Sequence, residues 1–109
     1  RQLAMLARAL CQEPRLLLMD EPTAHLDLTN KRRLVEIVSS LRRHGVSVVF
    51  STHDPEFAAE CASELILIAD GTRLVQGDAE TVLQPRHLNR VFETPLSVHW
   101  SNSRPHVVW

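Results

Sequence analysis

The run Leu16-Leu17-Leu18-Met19, followed at once by Asp20-Glu21-Pro22, constrains the fold more than any other stretch of this sequence. Four bulky apolar residues without a polar interruption predict a strand buried on both faces, as in a parallel sheet, with two carboxylates at its C-terminal end. In α/β sheets that end is where ligands are held. Adjacent side chains leave a strand in opposite directions, so Asp20 and Glu21 suit different tasks, one holding a metal while the other handles water. The plainer alternative is that both acids end the strand and solvate the turn.

The flanking segments support a layered α/β arrangement. Leu3, Leu6, Ala7 and Leu10 recur at helical spacing, which predicts a helix from Gln2 to Cys11, ended by Pro14. Asp27 is a candidate N-cap for a second helix, Leu28 to His44. It carries Leu34, Val35, Val38 and Leu41 on one face, Arg42, Arg43 and His44 in its last turn, and Gly45 as its C-terminal stop. Val46 to Phe50 is a second strand, and Pro55 opens a short helix through Phe57, Ala58 and Cys61. Leu65 to Ala69 and Thr72 to Gln76, joined by Asp70-Gly71, predict an antiparallel hairpin. Two small helices, Asp78 to Leu83 and Arg86 to Phe92, are expected to be broken at Pro85. A strand-like Leu96 to Trp100 and the polar Ser101 to Arg104 follow. Strand, helix, strand, helix with buried strands predicts a mostly parallel sheet layered with helices, followed by a hairpin-and-helix appendage.

Two further residues stand where chemistry is expected. Asp27 ends the turn Pro22-Thr23-Ala24-His25-Leu26-Asp27 just ahead of a helix, and a helix cap accounts for it equally well. His53 follows the second strand, so if the strands are parallel it lies at the same sheet edge as Asp20 and Glu21. An imidazole there can donate to a phosphate oxygen or orient a glutamate; a satisfied loop histidine is the alternative. The other histidines, His25, His44, His87, His99 and His106, show no ligand spacing to one another, and no metal cluster is assigned to them.

Composition narrows the class of partner. With 44% apolar and 23% charged residues in a chain of 109 and a net charge of −1, the sequence reads as one folded body without a global field for nucleic acid or anionic lipid. The groups Lys31-Arg32-Arg33 and Arg42-Arg43 read as the solvated face of the second helix. Cys11 and Cys61, in no Cys-x-x-Cys spacing, fit buried free thiols in a reducing compartment. No apolar run approaches the ~20 residues of a spanning helix. Arg1 opens directly into an amphipathic pattern, so the sequence is expected to begin within a domain.

Taken together, these segments resemble a known family. Leu16 through Thr23 resembles the Walker B segment of ABC-type ATPases, Ala24-His25-Leu26-Asp27 their D-loop, and Ser51-Thr52-His53-Asp54 their H-loop. Arg1-Gln2-Leu3 through Ala9-Leu10 is similar to the helix that follows the ABC signature sequence. The resemblance implies an α/β fold, part of a P-loop NTPase domain of the ABC type. It runs from Arg1 to about Trp100, dividing the sequence into 1–100, the C-terminal part of a nucleotide-binding domain, and 101–109, a polar tail. It further implies ATP and Mg2+ as cofactors, with Asp20 and Asp27 on the cofactor side. Asp20 is expected to bind the metal through water, Glu21 to polarise the attacking water, His53 to contact the γ-phosphate, and Asp27 to signal across a nucleotide-sandwich dimer. The implied partners are transmembrane permease subunits and a second nucleotide-binding subunit, without nucleic acid, at the cytoplasmic face of the inner membrane. Asp70 through Gly77, Glu80-Thr81-Val82-Leu83 and Leu88 through Phe92 are similar to the end of importer ATPases for iron-siderophore, haem and cobalamin.

Part of the machinery is absent from the sequence. There is no Gly-x-x-x-x-Gly-Lys-Ser/Thr loop, and Gly45, Gly71 and Gly77 are not arranged to cradle phosphate. The glutamine loop and signature are missing too. Half of a composite site is therefore expected, with activity belonging to the complete subunit. Two other readings remain: a non-transport ABC-type ATPase acting with nucleic acid or the ribosome, and a non-catalytic interaction module.

Overall fold

The computed structural model describes residues 2–108, without the side chains of Gln2, Leu3 and Met5. The helical position expected for the Leu3 side chain, the resemblance at Arg1 and the tail residue Trp109 therefore lie outside the described part. The chain divides into two compact units, Arg1–Asp54 and Pro55–Trp109.

In the first unit, α1 (Gln2–Leu10) leads through a turn with Glu13 at φ +49° to β1 (Leu16–Asp20). The helix α2 (Leu28–Arg43) then crosses over to β2 (Ser47–Ser51), which pairs with β1 in parallel. Both ends of α2 are closed by their own sequence. The Asp27 carboxylate accepts from the Asn30 amide at 2.8 Å, and at the other end the Gly45 and Val46 amides bond back to the Arg42 and Leu41 carbonyls. That second pattern needs a left-handed residue, and Gly45 supplies it at φ +82°. The His44 ring adds an Nδ1 contact of 2.7 Å to the Ser40 carbonyl.

The β1 strand departs from the expectation of burial on both faces. Leu17 is buried, whereas Leu16 and Leu18 are 53% and 69% exposed, and Val49 opposite Leu18 is 57% exposed. The register explains it: Leu17 pairs with Val48 and Met19 with Phe50 on one covered face, while Leu16, Leu18 and Asp20 share the other with Ser47, Val49 and Ser51. A two-stranded pair with one layer of helix covers a single face. Cys11, expected to be buried, is exposed because it lies beyond the last residue of α1, in the turn; Cys61 is buried, and both thiols are free.

In the second unit, α3 (Pro55–Cys61) precedes the hairpin β3 (Leu65–Ala69) and β4 (Thr72–Gly77). Asp70 and Gly71 both take positive φ, as the two-residue turn requires. The small helices α4 (Ala79–Val82) and α5 (Pro85–Phe92) follow, and Pro85 opens α5 rather than merely breaking the chain. Leu65, Val82, Leu83 and Leu88 form the buried core of this unit, with Val98 and Val107 packed against it.

Of the polar tail expected for 101–109, Ser101 ends the first strand and residues 102–108 are the turn and second strand of another antiparallel hairpin, β5 (Ser97–Ser101) and β6 (Arg104–Val108). Asn102 and Ser103 accept positive φ (52° and 62°) and reverse the chain, and Val107 then meets Val98 on the core side. Of the three described strand pairs, β1–β2 is the parallel one.

Candidate active site

The parallel register of β1 and β2 brings the chemically capable residues to one edge. Asp20 and Ser51 are the last residues of their strands and lie opposite one another. The Ser51 hydroxyl donates to Asp20 Oδ1. The Glu21 amide donates to the Ser51 carbonyl at 3.0 Å and stands 3.3 Å from its hydroxyl oxygen, so the backbone after β1 is held to the end of β2.

Glu21 then turns the chain out of the strand at φ +47°, a conformation that a residue with a Cβ adopts at a cost of about 1–2 kcal/mol. Its carbonyl accepts from the Ala24 amide at 3.0 Å, the Thr23 carbonyl from Leu26 at 3.1 Å, and His25 takes φ +64°. Residues 21–27 are thus a compact run of turns anchored by the buried Thr23 and closed by the Asp27 cap.

His53 reaches the same edge from β2: its Nε2 stands 3.2 Å from Glu21 Oε1. The loop carrying it is shaped by the Asp54 amide donating to Thr52 Oγ1 at 3.0 Å, and tied to the start of α2 by Lys31 Nζ to Asp54 Oδ2 at 3.5 Å. The His53 side chain is 86% exposed and Glu21 34%, so water screens the pair and it contributes little to stability. Orientation of the Glu21 carboxylate is the effect such a contact can have.

Asp20, Glu21 and His53 therefore meet where the sequence places them. Asp27 is joined to its own helix through Asn30, and the described contacts do not connect it to Glu21 or His53. Ser51 is the site residue that sequence reasoning gave no task; the signal for it is the strand register, which opposes Ser51 to Asp20.

The donor set fits one part of a magnesium–nucleotide site. An aspartate with a hydroxyl beside it offers oxygen to a hard dication that keeps most of its waters. Among the described residues no group of three or more His, Cys, Asp or Glu converges on a metal position. A phosphate cradle is missing from the chain, since no glycine-rich loop precedes a lysine anywhere in it.

Comparison with known proteins gives the same direction. The family model described as "AAA domain, putative AbiEii toxin, Type IV TA system" matches residues 1–59, more than half of the chain. An "Uncharacterized ABC transporter ATP-binding protein" of Haemophilus influenzae is 34% identical over 94 residues, 86% of this chain and 36% of that protein. A "Probable iron chelatin transport ATP-binding protein" of Helicobacter pylori is 30% identical over 105 residues, 95% of this chain and 41% of the relative. Other relatives are named as cobalt, hemin and cobalamin import ATP-binding proteins. Among solved structures, "An inward-facing conformation of a putative metal-chelate type ABC transporter" superposes with a TM-score of 0.83 at 28% identity, covering 98% of this chain and 43% of that one. The chain thus spans well under half the length of the relatives it matches.

Proposed function

Because the chain belongs to the AAA-domain family and its homologues are ATP-binding proteins of ABC transporters, we propose that it is part of the ATP-binding and hydrolysing subunit of an importer, for iron complexes or a related solute. The observation that carries the proposal is the meeting of Asp20, Glu21 and His53 at the shared end of two parallel strands. Bound Mg–ATP supplies a transferable phosphoryl group, and phosphoryl transfer asks the protein chiefly for positioning and charge neutralisation. Asp20, steadied by Ser51, offers its carboxylate to the water shell of the metal. Glu21 orients the attacking water and takes its proton on a carboxylate oxygen. His53 fixes the direction of that carboxylate and presents a ring nitrogen to a phosphate oxygen. Asp27 caps α2 and, in the proposed dimer, lies on the route by which one site reports to the other.

The proposed partners are permease subunits and a second nucleotide-binding subunit, with the protein peripheral to the cytoplasmic face of the membrane. No helix among the described residues is long and apolar enough to cross a membrane. The transport reading also draws on the second half of the chain. The AAA-domain match ends at residue 59, whereas the Helicobacter relative aligns over 105 residues and the metal-chelate transporter covers 98% of the chain.

In the complete ATP-binding subunit, His53→Ala is expected to lower turnover by about 100-fold or more while changing ATP affinity little, as for an interaction made mainly in the transition state. Steady-state hydrolysis and nucleotide binding, measured on the same preparation, test this. Equal losses in both would assign His53 to binding or folding instead.

A further inference from the structure

The hairpin of β5 and β6 sets His99 directly opposite His106. Opposed residues of an antiparallel pair have Cβ atoms about 4.5–5.5 Å apart. Val98 and Val107, one position along, pack toward the core, so alternation places both imidazoles on the outer face, and both are exposed.

Each ring has one nitrogen beside a polar neighbour. His106 Nδ1 faces Glu56 Oε1 at 3.8 Å, and Glu56 is itself held by the Val107 amide, which donates to Oε2 at 3.4 Å. His99 Nε2 stands 3.4 Å from the Ser97 hydroxyl. The nitrogens left for another ligand are Nε2 of His106 and Nδ1 of His99. The Glu56 carboxylate places a negative charge beside the pair, which favours a cation there. The nearby cation of β6, Arg104, is balanced by Glu60 at 2.9 Å and so does not oppose a positive ion.

We propose that His99 and His106 form a two-histidine chelate for a transition-metal dication, separate from the Asp20–Glu21–His53 edge. Imidazole nitrogens select Cu2+, Ni2+ or Zn2+ over Mg2+ and Ca2+, with Cu2+ bound most tightly. Among the described residues no third His, Cys, Asp or Glu completes a cluster, so the remaining coordination positions belong to water or a small ligand. The site is therefore an open, exchangeable one rather than a structural one. Sequence spacing conceals it, because only the turn at Asn102-Ser103 brings the two histidines into register.

The test titrates the full chain with Cu2+, Ni2+ and Mg2+ by calorimetry and records the Cu2+ electron paramagnetic resonance spectrum. One equivalent of Cu2+ with two imidazole nitrogens is expected, and Mg2+ is expected not to compete. His99→Ala and His106→Ala should each weaken binding by about tenfold or more and leave one nitrogen, and Glu56→Gln, which removes only a nearby charge, should weaken it less. His87→Ala should bind as the parent does. In denaturant, where the register is lost, affinity should fall to that of the single variants. Unchanged stoichiometry and affinity in His99→Ala, or binding that survives denaturant undiminished, would overturn the proposal; since both side chains are exposed, loss of fold does not confound the variants.

Discussion

Asp20 depends on a neighbour that contributes no charge. Its carboxylate accepts from Ser51, and a carboxylate fixed at a strand end offers its oxygens in one direction only. Ser51→Ala should leave folding intact and raise the magnesium needed for half-maximal hydrolysis in the complete subunit by about 2–5-fold. This corresponds to about 0.5–1 kcal/mol for one hydrogen bond at a solvated edge. A magnesium titration of the ATPase rate checks it, and an unchanged midpoint would remove Ser51 from the site. The shared edge of Asp20, Glu21 and His53 was legible in the sequence because they stand at or just after two apolar, β-rich runs, while the tasks proposed for them came from the family resemblance. Ser51 was not, because a serine ending a valine-rich strand gains its task only from the residue placed across from it.

At the scale of elements, the caps carry the checkable energetics. Asp27→Ala removes the acceptor for the Asn30 amide and should cost about 1 kcal/mol of α2 stability, whereas Asp27→Asn keeps a capping oxygen and should cost less. If Asp27 also serves coupling between two nucleotide sites, the Asn variant melts like the parent yet loses cooperativity in ATP hydrolysis. A variant normal in both would confine Asp27 to its cap. Asp78 caps α4 in the same manner: hydrogen bonds from the Thr81 side chain and then its backbone amide hold its carboxyl below the usual carboxylate range. A depressed folded value means that this stabilisation is present above the unfolded pKa and is lost as pH falls through the folded one. The Thr81 amide resonance should therefore shift at lower pH than that of an unpaired carboxylate's neighbour, and Asp78→Asn should abolish the transition. These elements were legible because their signals are local: Asp27 before an apolar stripe, Gly45 after it, Asp70-Gly71 between two β-rich runs. The hairpin ending in β6 was not, because Asn102-Ser103 is a weak turn signal and Pro105 reads against a strand. In the structure Pro105 is tolerated opposite Trp100 in a two-stranded pair.

The whole molecule has a carboxylate edge without a phosphate loop, and an apolar strand face, Leu16, Leu18 and Val49, open to solvent. Buried strands were inferred from the aliphatic run, which records the surroundings such a strand requires; a chain spanning 41% of its Helicobacter relative supplies only one of the two covering faces. Exposed apolar surface of that kind favours association, so the chain by itself should sediment with concentration-dependent mass. Without a glycine-rich loop it should also bind ATP weakly, and micromolar binding by calorimetry would contradict the account of half a site. The most direct test of the site is single-turnover hydrolysis by the complete subunit carrying Glu21→Gln, followed across a magnesium titration beside Asp20→Asn. Glu21→Gln should retain ATP and lose about 10²–10⁴-fold in rate at every magnesium concentration, while part of the Asp20→Asn defect recovers as magnesium rises. Near-parent hydrolysis by Glu21→Gln, or its rescue by magnesium, would contradict the assignment and leave the two carboxylates as the end of a strand.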